Sequence, residues 1–153
     1  YGHMFAPRPS VVVKEFARVL KPGGILAFST WPKELFMGKF FKLIESFSQP
    51  LPLEVASPVL WGDMAIIEDR LKDHFDHIEF ARDTMFAPTM SPAHMLKLFE
   101  KNAGPLANLV KALADDPAKL SNLRNAALVL IEKFFSNNFL RQDFLMTRCV
   151  KKT

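Results

Sequence analysis

The 153-residue sequence has one cysteine, Cys149, and so cannot form a disulfide within itself. That fits a reducing compartment, and the expectation is a cytoplasmic protein. No stretch of about 18 apolar residues is free of charge, so the sequence predicts no membrane-spanning helix. No positively charged leader precedes an apolar run, and none is read as a secretory signal. Clustered basic charge is also scarce. Lys14, Arg18, Lys21, Lys72, Lys97, Lys111, Arg124 and Lys133 are scattered, and only Lys151 and Lys152 adjoin at the tail. A net charge of +4, from 20 Lys and Arg against 16 Asp and Glu, gives no footprint for nucleic acid. The tripeptide Phe-Ala-Pro recurs at 5–7 and 86–88, which is too short to count as a repeat. Ser29 has no histidine and acid arranged as a hydrolytic triad. His74 and His77 are flanked by Asp73 and Asp76, but a helix-to-strand boundary falls between them and no third ligand is evident, so no metal site is read.

Apolar residues supply 49% of the chain and charged residues 24%, which argues for one compact domain over residues 1–153 with a sizeable core. Fifteen phenylalanines are many for this length. They either pack that core or line an apolar pocket.

The chain is punctuated by proline and glycine. Pro7, Pro9 and Ser10 open a helix whose apolar face is Val13, Phe16, Ala17 and Leu20. Pro22 stops it and Gly23-Gly24 turn the chain. The apolar run Ile25 to Thr30 follows. Lacking alternation, it reads as a parallel strand covered on both faces and central to its sheet. Glu34 to Phe47 reads as a greasy helix, Gln49 to Pro58 as a proline-rich loop, and Trp61 to Phe75 as a further helix. His77 to Thr84 alternates as a strand does. Ser91-Pro92 starts a helix that closes near Gly104, and Pro105 to Ala114 gives the next. Asp116-Pro117 caps another, with Leu120, Leu123, Ala127, Ile131 and Phe134 at helical spacing. Asn137-Asn138 turns into a last strand, Gln142 to Val150, in which Cys149 is a packed thiol. The pattern is α/β, with helices on a sheet of three strands. The first strand has nothing upstream to pair its other edge, which points to strands outside this sequence.

The run Phe16-Ala17-Arg18-Val19-Leu20-Lys21-Pro22-Gly23-Gly24, followed by Ile-Leu-Ala-Phe-Ser-Thr-Trp, resembles the turn that feeds the fifth strand of class I S-adenosylmethionine-dependent methyltransferases. Gly2 to Pro7 resembles the segment after that family's fourth strand. The likeness covers the whole chain but only the carboxyl-terminal half of the family's fold. It implies a partial doubly wound, Rossmann-like sheet whose last strand runs antiparallel. The family's glycine-rich loop and ribose-binding acid have no counterpart here. Gly23-Gly24 follow a helix and precede a strand, the reverse of a nucleotide-binding turn.

The resemblance implies transfer of a methyl group from S-adenosylmethionine to a small, apolar acceptor, with little or no activity in this chain alone. In such a fold the ligand rim lies at the carboxyl ends of the strands. Met4, Phe5, Thr30 and Trp31 are therefore candidates for the cofactor or substrate pocket. Phe5 and Trp31 are either walls for a sulfonium cation or plain core and rim aromatics. His3 is a candidate base or a solvated histidine near a terminus. Phe36, Met37, Phe40 and Phe41 form either a substrate lid or an ordinary packed face. The rival expectation is a non-enzymatic module that pairs its open edge with a second copy or with a missing amino-terminal half.

Overall fold

The computed structural model describes residues 1–50 and 55–153. Part of the loop expected over Gln49 to Pro58 therefore lies outside the described residues. Six α-helices and four strands are described: α1 (Pro9–Val19), β1 (Ile25–Thr30), α2 (Phe36–Phe47), α3 (Met64–Leu71), β2 (Phe75–Pro88), α4 (Pro92–Asn102), α5 (Gly104–Ala112), α6 (Pro117–Glu132), β3 (Phe135–Ser136) and β4 (Phe139–Lys151). Two 3₁₀ turns, Gly2–Phe5 and Pro58–Gly62, complete the order.

The fold is α/β, with one open antiparallel sheet ordered β1-β4-β2 and β3 paired to β4. β1 lies antiparallel to β4, from Ile25 opposite Val150 to Thr30 opposite Leu145. Backbone bonds from Lys152 N to His74 O and from Thr89 N to Asn138 O bracket β2 and β4, which places these two antiparallel as well. The final strand is thus antiparallel, as expected, but two expectations are corrected. The described strands do not have the parallel order of a doubly wound sheet. β4, not β1, is the central strand. Among the described strands β1 pairs with β4 alone, so it is an edge strand, and the exposed Ile25 and Ala27 give it an open face. An unbroken apolar run mimics two-sided burial, yet here only Phe28 and Thr30 are buried. The sheet also gains a fourth strand, β3, which is two residues long and forms a hairpin with β4 across Asn137 and Asn138. Both asparagines have positive φ, 49° and 62°, the conformation that a tight two-residue hairpin turn demands.

The described chain folds as two compact units. The first comprises Tyr1–Gly38, Leu51–Asp83 and Asp143–Thr153. In it α1 turns Val13 and Ala17 inward and packs on α3. Gly23 takes φ 75° at the turn into β1, and a Cβ on Gly24 would stand 2.8 Å from the Lys21 carbonyl oxygen. The two glycines thus serve different needs, one a left-handed conformation and one a close backbone approach. The expected helix from Trp61 to Phe75 is split. Trp61 belongs to the second 3₁₀ turn, and α3 starts afresh at Met64, capped by the Asp63 carboxylate accepting from Ala65 N. Inward positions of β4 in this unit are Leu145, Thr147 and Cys149.

The second unit comprises Lys39–Pro50 and Thr84–Gln142. Here α4 packs against α5 and α6. Ser91 caps α4 by accepting from His94 N, and Asp116 caps α6 by accepting from Lys119 N. Phe40 on α2 meets Phe99 on α4 at 5.0 Å between ring centres. Leu106, Leu109, Leu123, Ala127 and Ile131 fill the helical core. Each such large apolar side chain contributes about 1.5–3 kcal/mol when withdrawn from water.

Candidate functional site

The first unit brings four aromatic rings and one guanidinium into a single cluster. Gly2–Phe5 presents His3 to β1, and Pro58–Gly62 presents Trp61 to the same place. The His3 ring stands 4.6 Å from Phe28, 4.7 Å from Trp61 and 5.8 Å from Phe16, edge-on in each case. Edge-to-face packing sets a positive ring rim against a negative ring face and fixes the rings' relative tilt. Arg70, in the last turn of α3, lays its guanidinium carbon 4.5 Å from the centre of the Trp61 ring. Only glycine allows this assembly. A Cβ on Gly62 would stand 2.1 Å from the Trp31 carbonyl oxygen, and one on Gly38 2.1 Å from that of Pro32. Both close approaches converge on the turn that leaves β1.

Polar atoms inside this cluster lack partners. His3 Nε2, Trp61 Nε1, Arg70 Nη1, Thr30 Oγ1 and Thr147 Oγ1 are buried without a hydrogen bond to any described residue. Thr30 and Thr147 lie on one face of the β1–β4 pair, because Phe28 is directly opposite Thr147 and Thr30 is two residues on. Burial lowers the His3 pKa to about 4, helped by the positive charges of the amino terminus and Arg70. His3 is therefore a neutral imidazole at pH 7. Burial likewise lowers the pKa of Arg70, with no acidic group offsetting it.

The sequence-derived candidates fall as follows. His3 and Thr30 both carry unpartnered buried atoms of this cluster. Met4 is 1% exposed and belongs to the core, whereas Phe5 is exposed. Trp31 is buried beneath Tyr1, their rings stacked at 4.0 Å and 2°. Phe36, Phe40 and Phe41 are buried and Met37 half-buried. Sequence reasoning missed Phe16, Phe28, Trp61 and Arg70 as cluster members, and Tyr1 as the cover of Trp31. Their one signal was a lone arginine on the otherwise apolar side of α3.

A groove of about 470 Å³ in the same unit is lined by Lys33, Glu34, Asp63, Glu68, Phe80 and Arg82. Its two cations are paired internally. Lys33 Nζ donates to Asp63 at 2.8 Å and Arg82 to Glu34 at 2.7 Å. The hydrogen bond between Lys33 and Asp63 raises the lysine pKa and lowers that of the aspartate. Such a groove holds no surplus cation for an anionic polymer. His74 and His77 sit at the start of β2, with His77 at φ 51°. Among the described residues, no group of three or more His, Cys, Asp or Glu is placed to hold a metal ion. No described helix is long and apolar enough to cross a membrane. Cys149 is buried and unpaired, and burial pushes its thiol up to about 11.

No protein-family model matches the chain. It is similar to a protein of Mycobacterium tuberculosis strain H37Rv named only as uncharacterized, at 26% identity over 146 residues, 95% of this chain and 53% of the relative. A second uncharacterized protein of that strain is 23% identical over 152 residues, 99% of this chain and 56% of the relative. An uncharacterized protein of Mycobacterium bovis matches at 26% over 95% of this chain and 53% of its own length. The chain spans about half the length of the curated relatives it matches.

Proposed function

We propose that the chain forms the carboxyl-terminal part of a class I S-adenosylmethionine-dependent methyltransferase fold acting on a small acceptor. The observation that carries this reading is the placement of the last strand. β4 lies antiparallel between β1 and β2, beside a strand fed by the Lys21-Pro22-Gly23-Gly24 turn. The resemblance implies a last strand that runs antiparallel between the fifth and sixth strands of the family's fold, which supports the reading. The relatives' greater length leaves room for the other half.

The residues of this chain do not make a complete site for the cofactor. Trp31 is covered by Tyr1, Met4 is buried, and the Thr30 hydroxyl is sealed from solvent. They supply at most one wall, and no step of methyl transfer is assigned to any of them. His3, neutral and half-buried, has a ring nitrogen lone pair that accepts a proton near that wall. Calorimetric titration with S-adenosylmethionine tests the reading. The 153-residue chain is expected to bind none, and a relative of full length to bind it saturably. Failure of the full-length relative to bind would overturn the assignment.

A second reading rests on the β1 edge. The segment Ile-Leu-Ala-Phe-Ser-Thr carries no charge and no proline, the usual guards of an exposed edge, and Ile25 at one end is 55% exposed. A non-enzymatic module that pairs this edge with a second copy accounts for it equally. Stable dimerisation without cofactor binding would favour that reading.

A further inference from the structure

We propose that Arg70, Trp61 and His3 form a binding site for a single carboxylate group. Three nitrogen atoms around one indole ring, Arg70 Nη1, Trp61 Nε1 and His3 Nε2, are buried and unpartnered among the described residues. Trp61 is 1% exposed, so its N–H has no water-facing alternative. The indole and guanidinium groups can only donate, and the imidazole donates from Nε2 in one of its two neutral tautomers. Unpartnered buried nitrogens grouped around one indole call for an acceptor. The guanidinium decides its charge. Arg70 stacks on Trp61 and is half-exposed, and no described carboxylate stands beside it, so its charge is partly desolvated and unpaired. One cation with two neutral donors balances a monoanion. A planar carboxylate also matches the guanidinium fork. Arg70 itself is half-exposed, which leaves an approach from solvent. The site does not depend on methyl transfer.

The test uses acetate as the probe, with chloride at matched ionic strength as control. The chain has two tryptophans, so its two indole N–H resonances form a built-in comparison. Acetate is expected to move the Trp61 resonance saturably and leave that of Trp31 in place. Arg70→Lys keeps the charge but loses the fork, and Arg70→Met removes both. The expected effect is acetate binding weakened about tenfold in the first and abolished in the second. In chloride, Arg70→Met is expected to melt at a higher temperature than the parent, because it removes an unpaired, half-buried cation. The carboxylate's source is separated by a capped peptide carrying one glutamate. Binding about tenfold tighter than acetate assigns the site to a protein carboxylate, and equal or weaker binding assigns it to a free acid. No saturable change at Trp61 overturns the proposal. So does an Arg70→Met chain that is less stable yet responds to acetate as the parent does, since Arg70 would then serve packing alone.

Discussion

His3 shows how much a ring's surroundings govern its chemistry. Three aromatic rings and the Arg70 charge hold its pKa near 4, while an unfolded imidazole titrates near 6.5. Between those values the unfolded state binds more protons than the folded one. Stability is therefore full above about pH 6.5 and falls as pH drops toward 4. Denaturant midpoints of the parent and His3→Phe, measured at pH 7.5 and pH 5, check this. The variant is expected to lose less stability over the interval. An equal loss in both would place the titration elsewhere. Cys149 offers a second residue-scale prediction. With its thiol at about 11 and its side chain 0% exposed, it is expected to resist disulfide-exchange reagents at pH 8 until denaturant is added. Rapid reaction of the native chain would show that β4 opens locally. The packed character of Cys149 was legible in its apolar strand. The convergence of His3 on Trp61 was not, because 58 positions of sequence separate them and neither residue carries a spacing signal.

At the scale of the elements, the sequence was most informative where a cap or a turn has its own chemistry. Ser91 and Asp116 start α4 and α6 as their positions predict, and Asn137-Asn138 turns the hairpin. Asp116→Ala is expected to cost about 1 kcal/mol in chemical denaturation, the usual value of an N-terminal cap. A negligible change would mean that the first turn of α6 draws its stability from packing. The sequence misled where tertiary contact overrides local pattern. The periodicity through Trp61 runs unbroken into α3, yet Gly62 passes so close to Trp31 that a Cβ there would lie 2.1 Å from the Trp31 carbonyl oxygen. That approach forces the 3₁₀ turn and a fresh helix start at Met64. Gly62→Ala and Gly38→Ala are each expected to destabilise by more than about 2 kcal/mol in the same denaturation measurement. Near-neutral values would show that the backbone there relaxes freely. In β4 the buried positions change phase between Gln142 and Asp143. A reading by simple alternation has no means of anticipating that shift.

At the scale of the whole molecule, the α/β class and the antiparallel final strand were legible, and the edge position of β1 was not. Apolar content placed β1 at the centre of a sheet, but its single described neighbour, β4, places it at an edge. The same composition describes a central strand and an edge awaiting a neighbour, and only pairing distinguishes them. An unguarded edge of this kind is expected to drive concentration-dependent association. Sedimentation is expected to show it in the parent chain and to show less in Ala27→Lys, which puts a charge on the open face of β1. A parent chain that stays monomeric at every concentration would contradict this. The central proposal is that the chain forms the carboxyl-terminal part of a methyltransferase fold. Calorimetric titration of S-adenosylmethionine into the chain and into a full-length mycobacterial relative tests it most directly. The account predicts no binding by the chain and saturable binding by the relative. Saturable binding by the chain alone, or none by the relative, would contradict it.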